Sequence, residues 1–477
     1  METKVKKRTL LNISRRTFVH VTLLLAALLL LSILLTYIVP RGEFGVRPDG
    51  QPDYLSYTER DDLSGIPVWR GVLAPILVFF SSDGLTLLML TLFLFVISAA
   101  FQVMDDEGGV RALVGAVALR FRHRKRLLLV LISLLFYCFG AFLGLFEEML
   151  TMLPVTASLC VMLGFDSFTG FLCCIVSCGF GFAGAVTNPF TVLLASEIIG
   201  VNPMEHVWFR LVIFAVMFLL VTVFLFRHLR KLSRDPASSP TFRRDEALRQ
   251  SGEASFSSGE SDGARRVRRI YAAFLLAALA LIVLSSLLSA VRGYTVPILT
   301  GYFLVFGILA GALATGDLRK VLRSFGRGLG GALPTIVFIA LAASVKYVFD
   351  RGAILPTIVN QINAAVAGRS VIAIAVILYL IVLVLEFFIS SSTAKAILVM
   401  GLLAVVRVGL SKQMLVLIYT FADGYTNVLF PTSPVLLISL SMLELDYFSW
   451  VKRSLPLFAV NTLLVLAFIL LGILVGY

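Results

Sequence analysis

The chain has 477 residues, 59% of them hydrophobic and only 14% charged, with a mean hydropathy of +0.96. That composition cannot cover a water-soluble surface and describes an all-α polytopic membrane protein. The formal net charge of +13 does not point to nucleic acid, because the cations lie in loops beside apolar runs and form no basic groove with stacking aromatics.

In chain order, residues 1–18 form a basic amino terminus (Lys4, Lys6, Lys7, Arg8, Arg15, Arg16) expected in the cytoplasm. Val19 to Val39 is too long for a signal-peptide core and no small-residue cleavage site follows, so it reads as a retained first span. Arg41 to Asp83 is expected as a long external loop, and Leu85 to Met104 as the returning span. After the basic cluster Arg120 to Arg126, residues 127–163 have an apolar arm, a polar tip at Gly144 to Glu148 and a second apolar arm. A span ending in carboxylates is costly against lipid, whereas a re-entrant hairpin tip buried in protein or beside a water-filled cavity is permitted.

Residues 168–199 predict a transmembrane helix broken at Thr187 to Pro189, followed by a span over 209–226. The basic segment 227–269 has little apolar surface and is expected to be a disordered cytoplasmic linker, so deleting about Ser238 to Gly259 is expected to spare activity. A linking span over 270–292 leads into the second half, 293–477, with spans at Val296 to Ala314 and Gly331 to Phe349. A second hairpin at 370–410 follows, then a second broken helix at 414–442 and a last span that places the carboxy terminus outside.

The halves repeat. Pro189, Trp208 and Arg210 recur as Pro431, Trp450 and Lys452, at one offset (431 − 189 = 450 − 208 = 452 − 210 = 242). The segment around Asp105 resembles that around Asp350. The extra crossing at 270–292 inserts the second unit upside down, so 19–226 and 293–477 are read as inverted-topology repeats with re-entrant hairpins and broken helices. That arrangement is the signature of secondary transporters.

Unwound backbone at each break must find partners: a ligand, an ion or neighbouring side chains. The first break offers Thr187, Asn188, Pro189 and Thr191; the second offers Asp423, Thr426 and Asn427, then Pro431, Thr432 and Ser433. Proline removes a helical donor, while the Asn, Thr and Ser groups can replace an ion's hydration shell or hold a carboxylate. Glu147 and Glu148 at the first tip, and Glu386 near the second, are intramembrane carboxylates and therefore functional candidates. Ser390, Ser391, Ser392 and Thr393 precede a helical arm and form a candidate anion cradle, to which Lys395 either adds a charge or turns to water. Sodium is expected near Glu148, Asn188 and Asn427, with protons as the other candidate coupling ion; no cofactor is expected.

Two literal motifs are set aside. Gly179 to Gly184 fits GxGxxG without a strand-turn-helix context, and Ser392 to Lys395 fits SxxK without companion motifs, so no catalytic constellation and no enzyme is read here. The five cysteines lie in apolar segments without metal-ligand spacing.

The residues Gly144-Leu145-Phe146-Glu147-Glu148, Leu163-Gly164-Phe165-Asp166, Asn188-Pro189-Phe190-Thr191, and Asp423-Gly424-Tyr425-Thr426-Asn427 with Pro431-Thr432-Ser433 make the chain resemble the YfcC-type branch of the anaerobic C4-dicarboxylate carriers. The resemblance covers nearly the whole chain. It implies a homodimer, a static scaffold, and a mobile domain of hairpins and broken helices that moves as an elevator, coupled to sodium or protons or working by exchange. Ser392 and Ala394 stand where relatives usually carry glycine, which puts the inherited substrate in question. The expected function is secondary active transport of a small carboxylate, such as a C4-dicarboxylate, or an amino acid across the cytoplasmic membrane. A basic amino-acid exchanger of the arginine/ornithine type is the alternative, and an ion channel the distant one.

Overall fold

The computed structural model describes residues 15–46, 52–60, 65–82, 84–121, 123–250, 262–288, 291, 294–366, 368–389, 395–396, 398–400, 403 and 409–477. Among these, nine helices are long and apolar enough to cross a membrane, and the shorter apolar helices 149–162, 167–183 and 189–199 lie beside them.

The first span is α1 (Arg15–Ile38). The segment after it is not a plain loop: β1 (Gly42–Val46) pairs antiparallel with β2 (Pro52–Glu59), and short helices α2 (Val68–Val72) and α3 (Ala74–Leu77) follow. Then come α4 (Gly84–Asp106) and α5 (Gly109–Arg120). The first hairpin consists of α6 (Lys125–Cys138), a π-helical turn at Phe139–Leu143, a tip at 144–148, and α7 (Met149–Met162). The first broken helix comprises α8 (Ser167–Phe171), a π-helical stretch Leu172–Val176, α9 (Ser177–Ala183), the break, a π-helical turn Pro189–Leu193 and α10 (Leu194–Ile199). It leads into α11 (Val207–Arg234).

The second half repeats the succession. After α12 (Phe242–Gln250) and α13 (Asp262–Leu287) come α14 (Thr295–Thr315), α15 (Leu318–Gly331), α16 (Leu333–Arg351) and α17 (Leu355–Val366). The first arm of the expected second hairpin is α18 (Val371–Phe388). Its tip, with Ser390, Ser391, Ser392 and Thr393, and most of its second arm lie outside the described residues. The second broken helix is α19 (Lys412–Gly424), a 3-10 turn Tyr425–Val428 and α20 (Pro434–Met442), and the chain closes with α21 (Tyr447–Val475).

The halves exchange partners. Helices α14 and α15 of the second half pack on α4 of the first, while α1 and α3 of the first pack on α16 of the second. The α4–α15 contact is close: Ser98 Oγ donates to the Gly328 carbonyl at 2.8 Å, and a Cβ at Gly328 would sit 2.5 Å from Ala99 Cα. Arg327 pairs with Asp106 at 2.8 Å at its end. A second group forms from the broken helices, where α9 packs on α6, α11 and α19, and α19 packs on α18 and α21. The β-ribbon joins the halves again, with Tyr57 Oη 2.8 Å from Thr357 Oγ1 of α17.

The reading of 227–269 as a disordered tether is corrected over much of its length. Helix α11 continues to Arg234, and Ser239, Thr241 and Asp245 are buried. Asp166 caps α8 by accepting from the Thr169 amide (2.9 Å), and also accepts from Ser239 Oγ (2.7 Å) and meets His228 Nε2 (3.0 Å). Asp245 accepts from the Ser167 amide (2.8 Å) and Thr241 Oγ1 (2.7 Å). Burial pushes the Asp166 carboxyl up, but His228 and the hydroxyls of Thr169 and Ser239 outweigh it and bring the group down to about 2. A polar segment that supplies buried caps is held by hydrogen bonds rather than by apolar area, which composition alone does not reveal.

Candidate functional site

The two breaks meet. A Cβ at Gly424, which ends α19, would lie 2.2 Å from the backbone nitrogen of Ala183, which ends α9, so the two broken helices cross backbone to backbone where each unwinds. Only glycine allows that approach. Tyr379 of α18 and Tyr425 of the second break share a hydrogen bond of 2.6 Å beside the crossing.

At the first break the protein satisfies its own backbone. The amides of Val186 and Thr187 donate to the Ala141 carbonyl at 3.0 and 3.3 Å. Thr187 Oγ1 donates to the Phe142 carbonyl at 3.2 Å, and Asn188 Nδ2 to that of Gly140 at 2.9 Å. These carbonyls come from the π-helical turn of the first hairpin. Asn188 Oδ1 caps the restarting helix by accepting from the amides of Phe190 (2.9 Å) and Thr191 (3.3 Å), and Pro189 stands at its first position. Gly144, at φ +69°, lets the hairpin turn against Asn188, since a Cβ there would meet Oδ1 at 2.7 Å. Thr187 and Asn188 therefore stitch the hairpin to the break. Thr191 differs: its Oγ1 is buried without a hydrogen-bond partner among the described residues.

The second break is less closed. Thr426 Oγ1 donates to the carbonyls of Ala422 (2.9 Å) and Asp423 (3.0 Å), and Asn427 Nδ2 donates to Asp423 at 2.9 Å. Asn427 Oδ1 accepts no hydrogen bond among the described residues. Thr432 and Ser433 are buried, and Ser433, at the cap position of α20, makes no side-chain cap bond, leaving that helix start open. Pro431 lies in the turn before it.

Charges gather around the crossing. Lys395 is fully buried and pairs with Glu386 of α18 and, at 2.6 Å, with Asp423 of α19. The reading of Lys395 as a residue turned to water is thereby removed, and Glu386 gains its partner. Glu148, at the start of α7, is 5% exposed, and its Oε2 is buried with no hydrogen-bond partner among the described residues. Glu147 beside it is half-buried and within electrostatic reach of Asp423. Helix α20 packs against α7, which brings the open helix start and the Glu148-bearing helix into one neighbourhood. The signal for Lys395 was present as a lone cation in an apolar run; its partners came from two elements that only folding brings together.

The model of the family described as C4-dicarboxylate anaerobic carrier (DcuC) matches residues 18–475. The chain is 25% identical over 485 residues to the protein named "Putative basic amino acid antiporter YfcC" of Escherichia coli, covering 94% of this chain and 93% of that one. It is 23% identical over 381 residues to an uncharacterized protein of Haemophilus influenzae, covering 80% of this chain and 74% of that one. Among solved structures it aligns with the YdaH transporter of Alcanivorax borkumensis at a TM-score of 0.44 and 16% identity, covering 96% of this chain and 98% of that one. With MtrF of Neisseria gonorrhoeae the TM-score is 0.40 at 14% identity, covering 94% of each. The chain belongs to the C4-dicarboxylate anaerobic carrier family and is a multi-pass membrane transporter.

Proposed function

We propose that this transporter exchanges amino acids that carry a side-chain cation, with the hairpins and broken helices moving as one body against the group built on α4 and α16. The observation that carries this reading is the charge balance at the crossing. Among the described residues, four carboxylates (Glu147, Glu148, Glu386, Asp423) gather there against one ammonium, Lys395, which is already paired twice. A C4-dicarboxylate would bring two more negative charges into a low-dielectric site, at a cost of several kcal/mol. A basic amino acid fits the same groups: its side-chain cation meets Glu148, and its α-carboxylate meets the uncapped start of α20.

Glu148 without a ligand requires a proton or a sodium ion, which makes it the coupling residue in this mechanism. Asn188 contributes little to a sodium site because its Oδ1 already accepts two amides; Asn427 Oδ1 is the open acceptor. The repeats run in opposite directions across the membrane, the amino terminus is cytoplasmic, the carboxy terminus is external, and two copies assemble through the α4–α16 group. The printed name of the Escherichia coli relative, a basic amino acid antiporter, supports the substrate class.

Counterflow in proteoliposomes tests the reading. Preloading with arginine, lysine or ornithine should accelerate uptake of labelled arginine at least tenfold. Acceleration by succinate or fumarate but by no amino acid would reverse the substrate assignment, and uptake indifferent to preloading would indicate a channel.

A further inference from the structure

We propose a binding site for one anionic phospholipid in the groove between α11 and α21. A cavity of about 700 Å³ opens there, bounded by the last turns of α11 and the first turns of α21. Its lower wall is apolar, with Phe224 on one helix and Val460 on the other, and its upper rim carries Arg227, Lys231, Lys452 and Arg453. None of these four cations has an acidic partner among the described residues. His228, in the same wall, is held by Asp166. Asp166 is committed to His228, Ser239 and the α8 cap, and Asp446, which caps α21, accepts from the amide and hydroxyl of Ser449.

Both helices change from basic to apolar at this groove. Arg227 follows the apolar run that ends α11's membrane part, and Arg453 precedes the one that begins at Leu455 of α21. Such a step marks the membrane–water boundary. A ligand lodged across it needs negative charge at one end and hydrocarbon at the other. A free phosphate would use the rim and leave the apolar wall uncovered, whereas a lipid phosphate with its acyl chains fills both. Four unpaired cations converging from helices more than 200 residues apart in the chain make a site rather than the scattered basic fringe found at any membrane boundary. The site is independent of the transported substrate.

The test uses the full chain, purified and delipidated in neutral detergent, with retained lipid read by native mass spectrometry and melting read by thermal shift. Phosphatidylglycerol should bind at a stoichiometry of one and raise Tm saturably, while phosphatidylcholine and inorganic phosphate should not. Replacing two rim cations together (Lys452→Gln with Arg453→Gln) should weaken phosphatidylglycerol binding by roughly thirtyfold. Replacing Arg120 and Arg126, exposed cations elsewhere, should leave it unchanged. The proposal is overturned if phosphatidylcholine protects equally, if inorganic phosphate alone reproduces the effect, or if both double variants lose binding to the same extent. If the rim variant unfolds, Arg227→Gln with Lys231→Gln, on the other wall, makes the same prediction.

Discussion

The first hairpin and α18, the described arm of the expected second one, carry the same chemical feature in opposite states. In the second, Glu386 is buried with its charge answered by Lys395, which also holds Asp423. In the first, Glu148 is buried with an oxygen that nothing answers among the described residues. The breaks show the reverse: Asn188 uses both ends of its amide, while Asn427 keeps its oxygen open. Each half thus satisfies one of these groups internally and leaves another without a partner among the described residues.

Breaking that contrast should cost most at the paired hairpin. Lys395→Met strands Glu386 and Asp423 as buried like charges, and is expected to lower stability by about 3–5 kcal/mol; detergent thermal melts and size exclusion would read it, with partial recovery on adding Glu386→Gln. If the single variant melts like the parent, the triad is not a structural tie. At the unpaired hairpin the expectation inverts. Glu148→Gln breaks no ion pair among the described residues, so the melt should move by less than about 1 kcal/mol while counterflow falls more than tenfold or loses its ion dependence. Normal, ion-dependent transport in that variant would take the carboxylate out of the mechanism.

The breaks sharpen the comparison at smaller scale. Asn188→Ala deletes one donated and two accepted bonds, for a cost of about 2–3 kcal/mol. Asn427→Ala should cost about 1 kcal/mol yet raise the apparent KM for substrate or coupling ion. Equal melts for the two would show that the breaks are equally closed. Smallest is the tryptophan pair. Trp450 is fully buried, packs its ring edge-on against Phe171 at 5.1 Å and donates Nε1 to the Val428 carbonyl at 2.8 Å, whereas its counterpart Trp208 is 53% exposed. Trp450→Phe should cost about 1–2 kcal/mol and Trp208→Phe less than about 0.5, read by the same melts.

Hydropathy and proline placement made the apolar membrane helices and both breaks legible, because a hydrocarbon slab of about 30 Å imposes length and polarity rules on every segment it contains. The offset of 242 between the halves was equally plain, since it needs only residue identities. The segment 236–250 was misread because its order rests on Asp166, Ser239, Thr241 and Asp245 finding one another, and hydrogen-bond partners so far apart leave no periodic trace. The β-ribbon on α17 was missed for the same reason.

Residue order by itself identified a membrane transporter whose two halves echo each other at a fixed offset and whose apolar segments carry carboxylates. Tertiary structure alone decided which of those carboxylates is neutralised and which waits. Glu148 and Glu386 are the same residue type in similar apolar surroundings, and what separates them is whether a cation from another helix comes within hydrogen-bonding distance. Electrostatic interaction in a low dielectric depends steeply on that distance, and only folding sets it.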